Sequence, residues 1–112
     1  MEYYIYNIPI FLTQVPEPGV DIPVFCQEVE EILPDGLLRN VEAVYIGIFS
    51  DLKNKNAAYS NGAIYMTCLE PTNFDMLENF IHETAHSLED TFGWQIYDDI
   101  EGIRIPSESS IV

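Results

Sequence analysis

A chain of 112 residues, 47% of them hydrophobic, has the length and composition of one globular domain, expected to span residues 1–112. Nineteen acidic residues stand against four basic ones, which gives a formal net charge of −15. Nucleic acids and anionic membranes attract basic proteins, so this charge argues against both as partners, although it permits a cationic substrate. The N-terminal residues lack the pattern of a secretory signal, and no apolar run approaches the ~20 residues of a membrane span, so a cytoplasmic location is expected.

The first half of the chain predicts a strand, a helix and a second strand. Residues 3–8 are rich in Tyr and Ile and predict a strand that Pro9 ends or bends. Asp21 is placed to cap a helix whose first turn holds Pro23. Residues 41–49, rich in β-branched and aromatic side chains, predict a buried strand. The apolar positions of the helix recur at three- and four-residue spacing and predict its buried face: Phe25, Val29, Ile32 and Leu33.

The second half predicts a polar loop, a strand and a long helix, so that the chain as a whole has an α+β fold. Residues 50–62 contain asparagines and both lysines and predict the loop, and residues 63–69 predict the strand. Thr72 and Asp75 form the pattern of a helix start, and Gly93 is expected to end the helix. Its buried stripe is expected to consist of Phe74, Leu77, Ile81, Ala85, Leu88 and Phe92.

Within this helix lies the sequence His82-Glu83-Thr84-Ala85-His86, which contains the only two histidines of the chain. Residues four apart share one face of a helix, so both imidazoles can aim at a single point. Imidazole nitrogen is a good ligand for Zn²⁺. Glu83 projects beside the same point and is a candidate general base for a water at the metal. Two partly exposed helical histidines beside a helix-stabilising glutamate are the alternative interpretation.

The order strand, helix, strand, strand, motif helix, together with the motif itself, resembles the upper half of a zincin metallopeptidase. The likeness is greatest to the small gluzincins and the lethal-factor-like peptidases, in which acidic residues also follow the motif. This resemblance implies a small twisted sheet with a backing helix, residues 21–33, and a strand bordering the cleft, residues 63–69. It also implies a zinc metallopeptidase that acts on peptide or protein substrates.

The resemblance further implies a third protein ligand for the zinc. Glu89 and Asp90 lie about 10–12 Å along the helix from the first histidine, so they are expected to accept a hydrogen bond from a ligand histidine or to be solvated. Gluzincins take a glutamate from further along the chain, which favours Glu101. Asp98 and Asp99 are alternatives, and each of these acids can instead be a solvated surface charge.

The C-terminal part is expected to be reduced relative to a gluzincin, because residues 102–112 do not predict a long helix. Ile103-Arg104-Ile105 alternates like a strand and is expected to pair with the open edge of the predicted cleft strand, which would hold the enzyme latent; a frayed terminus is the alternative. Cys26 and Cys68 are expected to be buried small residues, with a disulfide between them left open.

Two other functions compete with peptide hydrolysis. A non-catalytic zinc-binding protein of the same fold would keep the histidines without hydrolysing anything. An acidic interaction protein would need no metal. Nothing in the sequence indicates an oligomeric state.

Overall fold

The computed structural model describes residues 2–53 and 55–92. In it, five strands form a mixed sheet, and two helices cover one face of that sheet. In the last helix the side chains are described as far as Glu89. Two short 3₁₀ helices, Asp35–Leu38 and Ser50–Leu52, lie in the connections. The longer elements, in chain order, are β1 (Tyr3–Ile5), β2 (Ile8–Leu12), α1 (Ile22–Ile32), β3 (Ala43–Gly47), β4 (Ala57–Ser60), β5 (Ala63–Thr67) and α2 (Asn73–Phe92). The predicted α+β class is therefore confirmed.

The strand order is β1-β2-β3-β5-β4, in which β2, β3 and β5 are parallel and the two edge strands are antiparallel to their neighbours. Ile10 pairs with Val44, and Val44 pairs with Ile64, so that one row of side chains faces the helices. Val44 and Ile64 are fully buried there. Phe25 of α1 and Phe80 of α2 belong to the same core.

The other face of the sheet carries a row of stacked aromatic rings. Phe11, Tyr45 and Tyr65 occupy paired positions on the three parallel strands, and each neighbouring pair of ring centroids is 5.1 Å apart. Alternation along the strands separates this face from the core, because successive side chains of a strand point to opposite faces.

The predicted strand at residues 3–8 is in fact a hairpin of two strands, and Pro9 lies within the second. Pro9 faces Tyr4 of β1, while pairing of β2 with β3 begins only at Ile10. In a two-residue hairpin the pair that flanks the turn, here Ile5 and Ile8, is hydrogen-bonded, so the next pair is not. Pro9 therefore occupies a position where the sheet requires no N–H, which is why it does not end the strand.

The predicted loop at residues 50–62 contains the edge strand β4. Asn61 and Gly62 have φ values of 49° and 86° and form the tight turn that joins β4 to β5. Because β5 pairs with β3 on one side and β4 on the other, the prediction that residues 63–69 present an open edge is wrong. Residues 103–105, expected to pair there, lie outside the described residues.

Both helices begin as predicted, and their first residues are joined. Asp21 Oδ1 accepts a hydrogen bond from the Val24 amide (3.2 Å), and Thr72 Oγ1 accepts one from the Asp75 amide (3.2 Å). The Asn73 side chain accepts from the Asp21 amide (2.8 Å) and donates to the Asp21 carbonyl (3.1 Å). These bonds satisfy N–H groups that a helix start leaves unpaired and fix the start of α2 against α1.

The buried face of α2 includes Ala85 and Leu88, as predicted, but it extends to one side of the predicted stripe and leaves out the first residue of that stripe. Phe74 is 65% exposed, whereas Phe80 is fully buried and packs edge to face on Phe25, with ring centroids 5.8 Å apart. Thr84 and Ser87 are buried with it because their hydroxyls donate to helix carbonyls, at 2.9 and 2.7 Å. Sequence patterning counts these two residues as polar, although their hydrogen bonds are satisfied within the helix. In α1, the prediction that Ile32 belongs to the core is likewise wrong, because Ile32 is 51% exposed.

Cys26 and Cys68 are buried, as predicted, and carry free thiols. Burial, together with the negative charge of Glu30, raises the pKa of the Cys26 thiol to about 11. Among the described residues, no helix has the length and hydropathy needed to cross a membrane.

The register of α2 predicts opposite effects for two phenylalanines. Phe80→Ala is expected to lower the free energy of unfolding by about 3–5 kcal/mol, because it leaves a cavity in the core. Phe74→Ala, on the exposed side, is expected to change it by no more than about 0.5 kcal/mol. Denaturation in urea measures both. A large loss of stability in Phe74→Ala with little loss in Phe80→Ala would contradict this register and support the buried stripe predicted from the sequence.

Candidate metal centre

The two histidines lie one helical turn apart on α2, half-buried beside the core face. His82 Nε2 and His86 Nε2 are 3.2 Å apart, and the two rings meet edge to face at a centroid distance of 4.8 Å. Their spacing in sequence predicted that both rings would share a face of the helix. The described structure brings the same nitrogen atom of each ring to one point.

The separation of these nitrogens fits a tetrahedral zinc ion. Two ligands at about 2.0–2.1 Å from one ion, at the tetrahedral angle, lie about 3.3 Å apart. Ligand atoms of His82, Glu83 and His86 all fall within 4.8 Å of one another. Within residues 2–53 and 55–89, this is the one group of three histidine, cysteine or acidic residues close enough to hold a metal. The donor set therefore suits the ion, with Nε2 of each histidine as the ligand atom.

Glu89 selects the tautomer of His86. The His86 ring and the Glu89 carboxylate meet at 3.3 Å between Nδ1 and Oε1, and we assign the proton to Nδ1, which donates to the carboxylate. Nε2 of His86 is then the nitrogen without a proton, the form in which imidazole binds a metal. In the neutral pair, His82 Nε2–H donates to that lone pair, so a metal ion would replace this one proton. The predicted role of Glu89 as an acceptor for a ligand histidine agrees with this geometry.

Glu83 is the buried acid of the site, with only 6% of the residue exposed. Burial raises the pKa of its carboxyl group, because the charged form loses solvation. Four groups favour the charged form and oppose this effect: His86, His82, Lys55 and the backbone N–H of Tyr59. A carboxyl group with a raised pKa beside two imidazoles is typical of a residue that exchanges protons.

Edge strand β4 and the residue Asn40 hold α2 in place around the site. Asn40 donates from its side chain to the Ser87 carbonyl at 2.8 Å, next to His86 in the chain. Tyr59 of β4 donates its hydroxyl to the Asn40 carbonyl at 3.5 Å. Sequence reasoning missed both Tyr59 and Asn40. The Asn-Gly pair at residues 61–62 was a signal for the β4–β5 hairpin, and so for Tyr59; no comparable signal marks Asn40.

The described residues bring together His82, Glu83 and His86, three of the four predicted site residues. Glu101, the predicted third ligand, and its alternatives Asp98 and Asp99 lie outside the described residues. These three assignments stay predictions.

Comparisons of the chain with protein-family models, with curated proteins and with solved structures found no match. The interpretation of the site therefore depends on the geometry of the histidine pair and the groups around it.

Removal of the Glu89 carboxylate tests its effect on His86. Glu89→Gln is expected to weaken zinc binding by about tenfold or more, because an amide oxygen is a weaker acceptor than a carboxylate and the amide can also turn its NH₂ group to the ring. Glu78→Gln removes one negative charge from an exposed position of the same helix and serves as the matched control. Competition with a chromogenic chelator measures both affinities. Equal affinities in the two variants would show that Glu89 acts only through its charge.

Replacement of Glu83 by glutamine is expected to stabilise the metal-free protein near neutral pH. Because burial raises the pKa of Glu83 in the folded chain, the protonated carboxyl contributes stability below its unfolded-state pKa, and this contribution is lost as the pH rises through the folded-state pKa. The gain in free energy of unfolding is therefore expected to be larger near pH 7 than near pH 4. Urea denaturation with a chelator present measures it, and a gain that does not change with pH would contradict the raised pKa.

Proposed function

We propose that the protein is a zinc-dependent metallopeptidase with a zincin-like fold. The observation that carries the proposal is the pair of imidazole nitrogens 3.2 Å apart with the buried carboxyl group of Glu83 beside them. Their arrangement suits a metal ion and a proton acceptor acting at the same place.

The arrangement of the elements supports the zincin-like assignment. A mixed five-stranded sheet is covered on one face by α1, in the position of a backing helix, and by α2, which bears the motif. An antiparallel edge strand, β4, lies against α2. The cleft strand of this proposal is therefore β4, in place of residues 63–69.

Each residue of the motif has a distinct role in the proposed hydrolysis. His82 and His86 would hold zinc through Nε2, with Glu101 as the predicted third ligand and Asp98 or Asp99 as alternatives. A zinc ion held there would supply Lewis acidity toward the scissile carbonyl and would lower the pKa of a bound water to about 7. Glu83 accepts the proton of the attacking water and passes it to the nitrogen of the leaving amine. The substrate is a peptide or protein, and neither nucleic acid nor membrane is a partner.

A non-catalytic zinc-binding protein is the second candidate. Such a protein needs the two histidines but has no use for a buried carboxyl group that takes no part in holding the metal. Burying a carboxyl group costs free energy, since its charged form is stripped of water. The position of Glu83 therefore favours catalysis over structural zinc binding, and the presence of the histidine pair favours both over an acidic interaction protein without metal.

Loss of either histidine is expected to remove the metal. A site with three protein ligands holds zinc poorly when one is missing, so His82→Ala and His86→Ala should each lose stoichiometric zinc. Phe74→Ala changes an exposed side chain of the same helix and should keep it. Elemental analysis after dialysis measures the zinc content. Full zinc content in either histidine variant would remove that residue from the site, and zinc-free wild-type protein would favour the acidic interaction protein.

Glu83→Gln tests whether Glu83 acts as a general base or as a metal ligand. This variant is expected to bind one zinc per chain and to lose hydrolysis, because an amide cannot accept the proton. Cleavage of a quenched fluorescent peptide library, with wild-type protein and chelator-treated protein alongside, measures the activity. Joint loss of zinc and activity in Glu83→Gln would make Glu83 a ligand. Zinc binding without cleavage by the wild-type protein would favour the non-catalytic candidate.

A further inference from the structure

The strands carry no charged side chain on the face of the sheet opposite the helices. Residues paired across neighbouring strands lie on the same face, and alternation along each strand identifies the rest of that face. Its members in the described strands are Tyr4, Pro9, Phe11, Ala43, Tyr45, Gly47, Ala58, Ser60, Ala63, Tyr65 and Thr67. None of them is acidic or basic, although 21% of the chain is charged and its net charge is −15. A solvated surface has roughly 25–35% charged residues, so this face is unusual for one that stays in water.

This face is open in the described part of the chain. Both α1 and α2 contribute to the core on the opposite face of the sheet. Phe11 is 46% exposed and Tyr4 is 48% exposed, while Tyr45 and Tyr65 are half-buried. A contiguous apolar patch of this kind on an acidic protein is typical of a surface that binds another apolar surface.

The relief of the face consists of a ridge beside a groove. The stacked rings of Phe11, Tyr45 and Tyr65 form the aromatic ridge, which crosses the three parallel strands. Ala43 and Ala63, which are paired with each other, lie two residues before the ridge on their strands. This separation is about 7 Å, and the small side chains of the two alanines leave a groove parallel to the ridge, the alanine groove.

We propose that this face is the interface of a homodimer, in which the aromatic ridge of each copy lies in the alanine groove of the other. A ridge beside a parallel groove is self-complementary, because a two-fold axis between the two rows places each ridge over the partner's groove. The dimer then has four layers, with the two sheets in the middle and the helices outside. The interface therefore lies on the other side of the sheet from α2, and the inference does not depend on the metal centre.

Charge favours a second copy as the occupant. A basic partner would be attracted to the acidic parts of the surface, whereas this face offers it no carboxylate. The ridge also suits a cation poorly, because rings stacked on one another turn their positive edges outward and their negative faces toward each other. An uncharged apolar face is matched by another uncharged apolar face, and a second copy of the chain supplies one.

The place where the described chain ends favours the same occupant. Its last element, α2, ends at Phe92 and lies on the helix side of the sheet. The residues that follow therefore begin on the side opposite the aromatic ridge.

The size of the face fits a weak dimer. The sheet has five strands, and its central strands have five residues each, which gives a face of about 24 by 16 Å at ordinary strand spacing and rise. Two copies would bury about 800–1,000 Å² in total, at the lower limit for a specific interface. Association is therefore expected to be reversible, with a dissociation constant of about 10–100 µM.

Sedimentation equilibrium of the full-length protein tests the proposal, with a chelator present so that no shared metal ion joins two chains. A monomer–dimer equilibrium is expected between about 10 µM and about 1 mM protein. Raising NaCl from about 0.05 to about 0.5 M is expected to strengthen the dimer, because salt screens the repulsion between two chains of charge −15. A protein that stays monomeric throughout would overturn the proposal, whether its face is bare or covered by another part of the same chain.

Two matched substitutions locate the interface. Phe11→Glu is expected to weaken the dimer by about tenfold or more, because it places a carboxylate in an apolar contact. Phe74→Glu makes the same change at an exposed residue of α2, on the other side of the molecule, and is expected to leave the dimer intact. Equal weakening in both variants, or a loss in Phe74→Glu alone, would overturn the proposed interface.

A third substitution separates ridge-in-groove packing from unspecific association. Ala43→Ile adds apolar surface with a side chain that suits a strand, but it fills the alanine groove. The dimer is therefore expected to weaken although the face becomes more apolar. Unchanged or stronger association would show that apolar area alone drives the contact, which overturns the proposed packing.

An NMR dilution series of the wild-type protein tests the interface without any substitution. The amide signals of Phe11, Tyr45 and Tyr65 are expected to shift as the dimer dissociates, whereas that of the core residue Val29 in α1 is expected to stay in place. Shifts confined to the two helices would place the interface on the opposite side of the molecule and overturn the proposal.

Discussion

The rotation of α2 about its own axis is the constraint on which the site depends. Phe80 and Met76, both fully buried, lock that rotation by filling the core beneath the sheet. This rotation also fixes the directions of the side chains at positions 82, 83 and 86, because a helix sets the direction of every side chain relative to its neighbours. Glu83 is carried inward toward β4, and the two histidines are left at the boundary between the core and solvent.

Burial works against the placement of Glu83. It removes the carboxyl group from solvent and so disfavours its charged form. Lys55, the histidines and the Tyr59 amide oppose that penalty locally. A fold that keeps a carboxyl group buried beside two imidazoles loses stability there, and such losses are common where a site serves chemistry.

Local sequence signals predicted much of this arrangement. The capping pattern at Thr72 and the four-residue spacing of the histidines depend only on neighbours in the chain, and both features are present in the structure. The contact of Glu89 with His86 could be predicted for the same reason, because the two residues are three positions apart on one helix. Non-local features were harder to predict. β4 reads as a polar loop because an edge strand needs few apolar residues, and the burial of Thr84 and Ser87 becomes visible only when their hydrogen bonds to the helix backbone are known.

Zinc K-edge X-ray absorption of the zinc-loaded protein tests the central claim most directly, because it reports the atoms bound to the metal. We expect one zinc per chain, with two imidazole nitrogens at about 2.0–2.1 Å and oxygen atoms completing the shell. A shell dominated by sulfur at about 2.3 Å would place the metal at cysteine instead, and a shell without imidazole would contradict the metal centre at His82 and His86.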